Sequence, residues 1–238
     1  MSAFTNVEIF PLGDQAILIR WEQLPSDALL EHLLTQKTKI IAALDIEVVH
    51  AYNELLLKVA PGKVSEGLIR KLLNEEVELL VSKRMHYEIP VCYGGDFGKD
   101  LNAFAKAKQL TPEAVIELHT KEGYRLYFMG FLPGFLYLEG LDERLYFPRK
   151  VTPSLHMTAG SVAIGGTQTG IYPQASPGGW HSIGRTPISL FDPSDEIPSP
   201  FKAGDVIQFK AIHADVFTQI ASEVKRGTYR LKTTPIDV

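Results

Sequence analysis

The stretch "GTQTGIYPQASPGGWHSIGRTP", Gly166 to Pro187, restricts the fold more than any other part of the chain. It carries five glycines and three prolines beside Ile171, Tyr172, Trp180 and Ile183. Average usage would place about one or two glycines and one proline in such a window. A flexible linker accounts for the glycines but leaves four large apolar side chains without burial or a ligand. The run therefore predicts an ordered, tightly turned surface. Glycine permits positive φ and lets a ligand approach main-chain N–H groups. Gln168 and Thr169 offer neutral donors and acceptors, Tyr172 and Trp180 flat walls with one polar handle each, and Arg185 a fork for a carboxylate or phosphate. Together they describe a pocket for a small polar, anionic molecule. A second reading stays equally open: barrel corners shaped by Gly and Pro, with Tyr172 and Trp180 as core.

The flanking sequence supplies the setting. "VEIFPLG" and "QAILIRW" read as strands joined by a turn. Ser26 can cap a helix with Leu29, Leu33, Ile40 and Leu44 along one stripe. "IEVVHAY" and "ELLLKV" follow as a hairpin around Asn53, then a helix from Ser65 with Ile69, Leu72, Leu73, Val77 and Leu80 on one face, then the strand "MHYEIPVCY". This βαββαβ order predicts a small α+β sandwich of ferredoxin-like type. "CYGGDFG" is a turn cluster, and the domains are expected at 1–88 and 89–238. Two short helices come next, the second opening on Thr111 as N-cap with Pro112 and Glu113 behind it and ending near His119. Beyond it, short apolar runs between Gly/Pro turns ("SVAIGG", "TPISLF", "DVIQFKAI") predict a β-barrel, crossed by a helix around Val216, Ile220 and Val224.

With 238 residues, 45% hydrophobic and 22% charged, the chain has ordinary globular composition. A net charge of -4 with scattered basic residues argues against a nucleic-acid partner. The single cysteine, Cys92, rules out an internal disulfide framework and fits a reducing compartment. The opening "MSAFTNVEIF" lacks the pattern of a secretory signal, and the apolar run "YFMGFLPGFLYL" is too short and too broken to span a membrane. A cytoplasmic protein is expected. No phosphate loop, dinucleotide fingerprint or nucleophile elbow is present, and the dispersed histidines suggest no metal site. His119, at a helix end, reads either as a proton shuttle or as a residue facing the helix dipole.

"IPVCYGGDFGKDL", "VIELHT", "YRLYFMGFLPGFLYL", "AGSVAIGGTQTGIYP" and "SPGGWHSIGRTPISLFDP" together resemble the family of 5-oxoprolinase B subunits. The family is also known as allophanate hydrolase subunit 1, the kinase-inhibitor (Kip) family, and carboxyltransferase subdomains C and D. The resemblance implies a small N-terminal α+β domain followed by a C-terminal cyclophilin-like β-barrel. It further implies a hydrolase component of an ATP-dependent 5-oxoprolinase, which opens 5-oxoproline to glutamate, active only with its partners. Those partners would be the homologous 5-oxoprolinase C subunit and the A subunit, with the ATP site on or shared with one of them. A lactam must be activated before water opens it, and phosphorylation of the amide oxygen is one activation. On this footing the candidate catalytic residues are His119 and Gln168, and the candidate substrate contacts are Arg149, Thr169, Tyr172, Trp180 and Arg185.

Two departures stand out. "TPSLHMTAGS" has Ser154 where relatives usually carry Arg and Thr158 where they usually carry Pro, and "GGTQTG" replaces the usual A-G-G-Q-T-G. Loss of that Arg weakens any anion contact from its loop and leaves the work to Arg149 and Arg185. The family name also suggests an alternative, a regulatory protein that binds and inhibits a sensor histidine kinase through Phe131, Leu132 and Phe135. A peptidyl-prolyl isomerase would rest on barrel analogy alone, a poor warrant for activity.

Overall fold

The computed structural model describes residues 4, 6–75 and 83–236. The chain forms two compact units, Met1–Ser82 and Lys83–Val238. In the first, β1 (Val7–Leu12) and β2 (Ala16–Trp21) form an antiparallel hairpin, followed by α1 (Asp27–Leu44). β3 (Val48–Ala51) and β4 (Glu54–Lys58) form the second hairpin, and α2 (Glu66–Asn74) follows. Both helices start where a serine meets the first unpaired N–H groups: Ser26 Oγ accepts from Leu29 N and Ser65 Oγ from Leu68 N, each at 3.2 Å. At the second hairpin Asn53 Nδ2 donates to the Trp21 carbonyl at 2.6 Å, tying that turn to the end of β2.

The sheet order is β1-β2-β4-β3, antiparallel throughout. Alternate residues Ile17, Ile19 and Trp21 of β2 and Leu55 and Leu57 of β4 face one side, where Leu29, Leu33 and Ile40 of α1 and Ile69 of α2 cover them. This is the expected sandwich with one correction. The edge place beside β2 belongs to β1, from the N-terminal side, and "MHYEIPVCY" joins the second unit instead. Val77 and Leu80, expected on α2, lie outside the described residues.

The second unit opens with β5 (Arg84–Tyr93), α3 (Leu101–Ala107) and α4 (Pro112–Lys121). β6 (Gly123–Met129), β7 (Leu136–Glu139), a 3-10 turn at Glu143–Leu145, β8 (Ser154–Met157), β9 (Ser161–Gly165) and β10 (Gln168–Ile171) come next. β11 (Ser176–Gly178), β12 (His181–Arg185), β13 (Val206–Ala211), α5 (Ala214–Lys225) and β14 (Lys232–Ile236) complete it. The strands run β12-β9-β10-β7-β6-β13-β5, and β5 then pairs back with β12 through Tyr93↔Gly184 and Cys92↔Arg185. Seven strands thus close a barrel, which removes free edges, while β14 pairs with the first half of β5 and β8 with β11. Ile89, Val91, Leu126, Leu138, Ile164 and Phe209 fill its core.

The expected boundary at 88/89 would cut β5. The strand instead pairs with β13 from His86 to Val91, and its residues from Arg84 to Glu88 also pair with β14, so all of it belongs to the barrel. α4 starts as its sequence signals require, with Thr111 Oγ1 accepting from Ala114 N at 3.2 Å and Pro112 in the first turn. Among the described residues no helix is long and apolar enough to cross a membrane.

Candidate functional site

The glycine-rich run separates into a packed part and an accessible part. Trp180 and Tyr172 are core residues, and Phe135 meets both edge-on at centroid distances of 5.6 and 5.0 Å. Gly165 has no room for a side chain: a Cβ there would stand 2.5 Å from the Trp180 ring. At Gly178 a Cβ would overlap the Tyr172 hydroxyl. These glycines let two large aromatics approach the backbone, so for Tyr172 and Trp180 the core reading holds. Arg149 lies over the Trp180 ring at 5.7 Å from its centroid.

His119 is fully buried, with Tyr93 Oη 2.8 Å from Nδ1 and Thr169 Oγ1 2.8 Å from Nε2. Thr169 Oγ1 donates its own proton to the Ala163 carbonyl at 3.1 Å, so it accepts from His119 Nε2–H, and Tyr93 donates to Nδ1. Phe209 stacks on the imidazole at 4.6 Å. Burial pushes the His119 pKa down to about 3 and holds the Tyr93 hydroxyl well above its usual value. The imidazole is therefore a neutral core group that ties α4 to β5 and β10, with no solvent-facing atom to exchange a proton. Thr169, likewise, is part of this buried network.

Gln168 is also buried, and its Nε2 lies 3.4 Å from Glu139 Oε2. Burial raises the Glu139 carboxyl pKa, and the contact with Gln168 opposes that shift. Gln168 pairs with Gly165 of β9, whereas Arg185 pairs with Ser161 at the other end of the same strand. At ~3.3 Å per residue the two positions are roughly 13 Å apart along β9. The cavity that Arg185 lines does not include Gln168.

The accessible part is a cavity of about 110 Å³ beside Arg185. The Arg185 guanidinium rests over two rings, 5.0 Å from the Phe97 centroid and 4.9 Å from that of Phe217. Its Nε is buried without a hydrogen-bond partner. Next to it Lys150 Nζ is held by Asp100 Oδ2 at 2.6 Å and by Ser154 Oγ at 2.9 Å. Asp100 is fixed in turn by Ser182, whose N–H donates to Oδ2 at 2.7 Å and whose carbonyl accepts from Asp100 N at 2.9 Å. Gly98 makes that docking possible, because a Cβ there would overlap the Ile183 carbonyl. Thr158, Ser161, Lys99 and Asp96 complete the charged and hydroxyl lining.

Of the expected site residues, Arg185 alone lines this cavity. Asp100 and Lys150 were missed, although "GGDFGKDL" and the "TPSLHMTAGS" loop lie within or beside the motifs that carry the resemblance. Ser154, set apart above as a departure, has a role as an acceptor for Lys150. What this arrangement does chemically is present a fixed planar cation and a clamped ammonium to a small ligand. Among the described residues no group of three or more His, Cys, Asp and Glu is placed to hold a metal ion.

A ferredoxin-like unit followed by a closed barrel defines an architecture shared with carboxylase domains. The family model "Carboxyltransferase domain, subdomain C and D" matches residues 7–201, and the chain belongs to that family. It is 47% identical over 144 residues to the B subunit of 5-oxoprolinase from Bacillus subtilis, covering 60% of this chain and 60% of that protein. The Haemophilus influenzae protein of the same name is 45% identical over 166 residues, 69% of this chain and 78% of that one. The match thus spans about three-fifths of the first relative's length. Among solved structures, Kluyveromyces lactis urea amidolyase superposes with a TM-score of 0.80 over 97% of this chain and 16% of that one. At 17% identity that likeness concerns the fold.

Proposed function

We propose that this chain is one component of an ATP-dependent 5-oxoprolinase that acts in the cytoplasm with its homologous C subunit and its A subunit. Support comes from its similarity to proteins named as the B subunit of 5-oxoprolinase and from the accessible cation-lined cavity described above. The observation that carries the reading is the Arg185 guanidinium, held over Phe97 and Phe217 in the cavity wall that the clamped Lys150 also lines. Such a pair suits a small acid, orienting it while the low-polarity rings below keep water from the guanidinium face. His119 serves the fold in this reading, and its neutral imidazole moves no proton in the reaction.

Mixing the purified chain with the candidate A and C subunits and measuring 5-oxoproline-dependent ATP hydrolysis tests the reading. Turnover is expected in the full mixture and not in any one component by itself. Absence of turnover in the full mixture, with every component shown folded, rejects it. The histidine-kinase alternative draws no support from the fold: Phe135 is buried and Leu132 packs against the same aromatic cluster, leaving Phe131 exposed by itself from the expected dock.

A further inference from the structure

Resting on that reading, we propose that the cavity beside Arg185 seats the single carboxylate of a compact ring acid and does not take ATP. ATP then binds elsewhere in the complex.

Charge is the first argument. The cavity is lined by the cations Lys99, Lys150 and Arg185 and by the acids Asp96 and Asp100, so its Lys, Arg and Asp side chains together carry one net positive charge. A monoanion balances that charge. A nucleoside triphosphate would meet two carboxylates in the wall and leave most of its own charge uncompensated. Size is the second argument. At about 110 Å³ the space is well below the ~300–1,000 Å³ usual for sites that enclose drug-sized ligands.

Geometry is the third. Asp100 is already satisfied by Lys150 and the Ser182 N–H, so it does not draw Arg185 away from a ligand. The two phenyl rings occupy the guanidinium face and Nε is buried, so in-plane acceptors from the cavity are left the terminal Nη1 and Nη2 end. Two parallel N–H···O bonds to a planar carboxylate fit such an end. Lys150 gives one N–H to Asp100 and one to Ser154, and its third remains for the ligand.

Calorimetric titration of the full chain, by itself and within the assembled complex, tests this with four probes: 5-oxoproline, its uncharged primary amide, inorganic phosphate and Mg-ATP. The expected result is saturable binding of 5-oxoproline, at least tenfold weaker binding of the amide, and no displacement by phosphate or Mg-ATP. Arg185→Lys, which keeps the charge but loses the fork, should weaken binding at least tenfold, and Lys210→Ala on an exposed strand position should not. Equal affinity for the amide, displacement by phosphate or nucleotide, unchanged binding by a folded Arg185→Lys, or no binding in the complex overturns the proposal. The two readings fail separately. Turnover by the complex with an unchanged KM in Arg185→Lys removes the carboxylate seat alone, whereas 5-oxoproline binding without turnover removes the enzymatic reading alone.

Discussion

A Cβ placed on Gly165 would stand 2.5 Å from the Trp180 indole, so the two residues occupy their positions only because one of them has no side chain. Gly165→Ala should force the indole or β9 to shift. Overpacking of this kind costs about 1–3 kcal/mol. Urea unfolding of the variant checks it, and an unchanged midpoint would show that the ring has room to move.

His119 holds the hydroxyls of Tyr93 and Thr169, so His119→Leu should leave the Tyr93 hydroxyl unpaired inside the barrel while Thr169 keeps its bond to the Ala163 carbonyl. A loss of about 1–3 kcal/mol is expected for the unpaired group. Equilibrium denaturation measures it, and Tyr93→Phe, which removes only one hydroxyl, should cost less.

The same histidine makes a signed contribution to pH dependence. Its pKa is about 3 in the fold against 6.5 when exposed, so between those values the unfolded chain binds a proton that the folded chain refuses. The stabilisation is complete above pH 6.5 and is lost as pH falls towards 3, at up to about 1.4 kcal/mol per pH unit. Comparing wild type with His119→Gln from pH 7 downwards isolates this slope, since the other titrating groups are common to both. Parallel curves would mean that the folded imidazole protonates normally.

Asp100 and Lys150 are each mostly shielded from solvent, with side-chain exposures of 25% and 18%, which should make their pair stronger than a surface ion pair. A double-mutant cycle with Asp100→Asn and Lys150→Met should give a coupling of about 1–2 kcal/mol that falls only slightly with added salt. Coupling near zero would indicate that Lys150 holds its place through Ser154 and packing.

Phe131 has φ +66° and is 64% exposed. A left-handed backbone costs an L-residue about 1–2 kcal/mol, which glycine avoids, while the wider freedom of unfolded glycine returns part of the gain. Phe131→Gly should therefore stabilise the chain by up to about 1 kcal/mol in thermal unfolding. Destabilisation would assign real packing value to its edge contacts with Phe135 and Tyr172, at 5.8 and 6.4 Å.

Local features could be read directly along the chain. Ser26, Ser65 and Thr111 cap helices where their spacing from the apolar stripes places them, and the hairpin turns around Asn53. The caps depend on a side chain meeting a backbone N–H three residues on, and nothing distant changes that geometry. Alternation and 3.6-residue periodicity likewise identify the buried faces of β2, β4 and α1, because burial selects one face of a regular element. The motifs within the glycine-rich half were sufficient to suggest the family.

Partnership between distant strands was a different matter. Whether "MHYEIPVCY" closes a sandwich or a barrel depends on β13 and β14, whose residues follow it by more than a hundred positions. The meaning of each glycine was hidden for the same reason: Gly165 and Gly178 make space for rings, not for a ligand, and only the packed barrel shows which atoms approach them. Arg185 and Gln168 sit near one another in sequence but register with opposite ends of β9. Asp100 and Lys150, 50 positions apart, meet in one cavity. Short-range hydrogen bonding and amphipathic period are written into consecutive residues, whereas charge pairing, close approach and register arise when remote segments compete for the same volume.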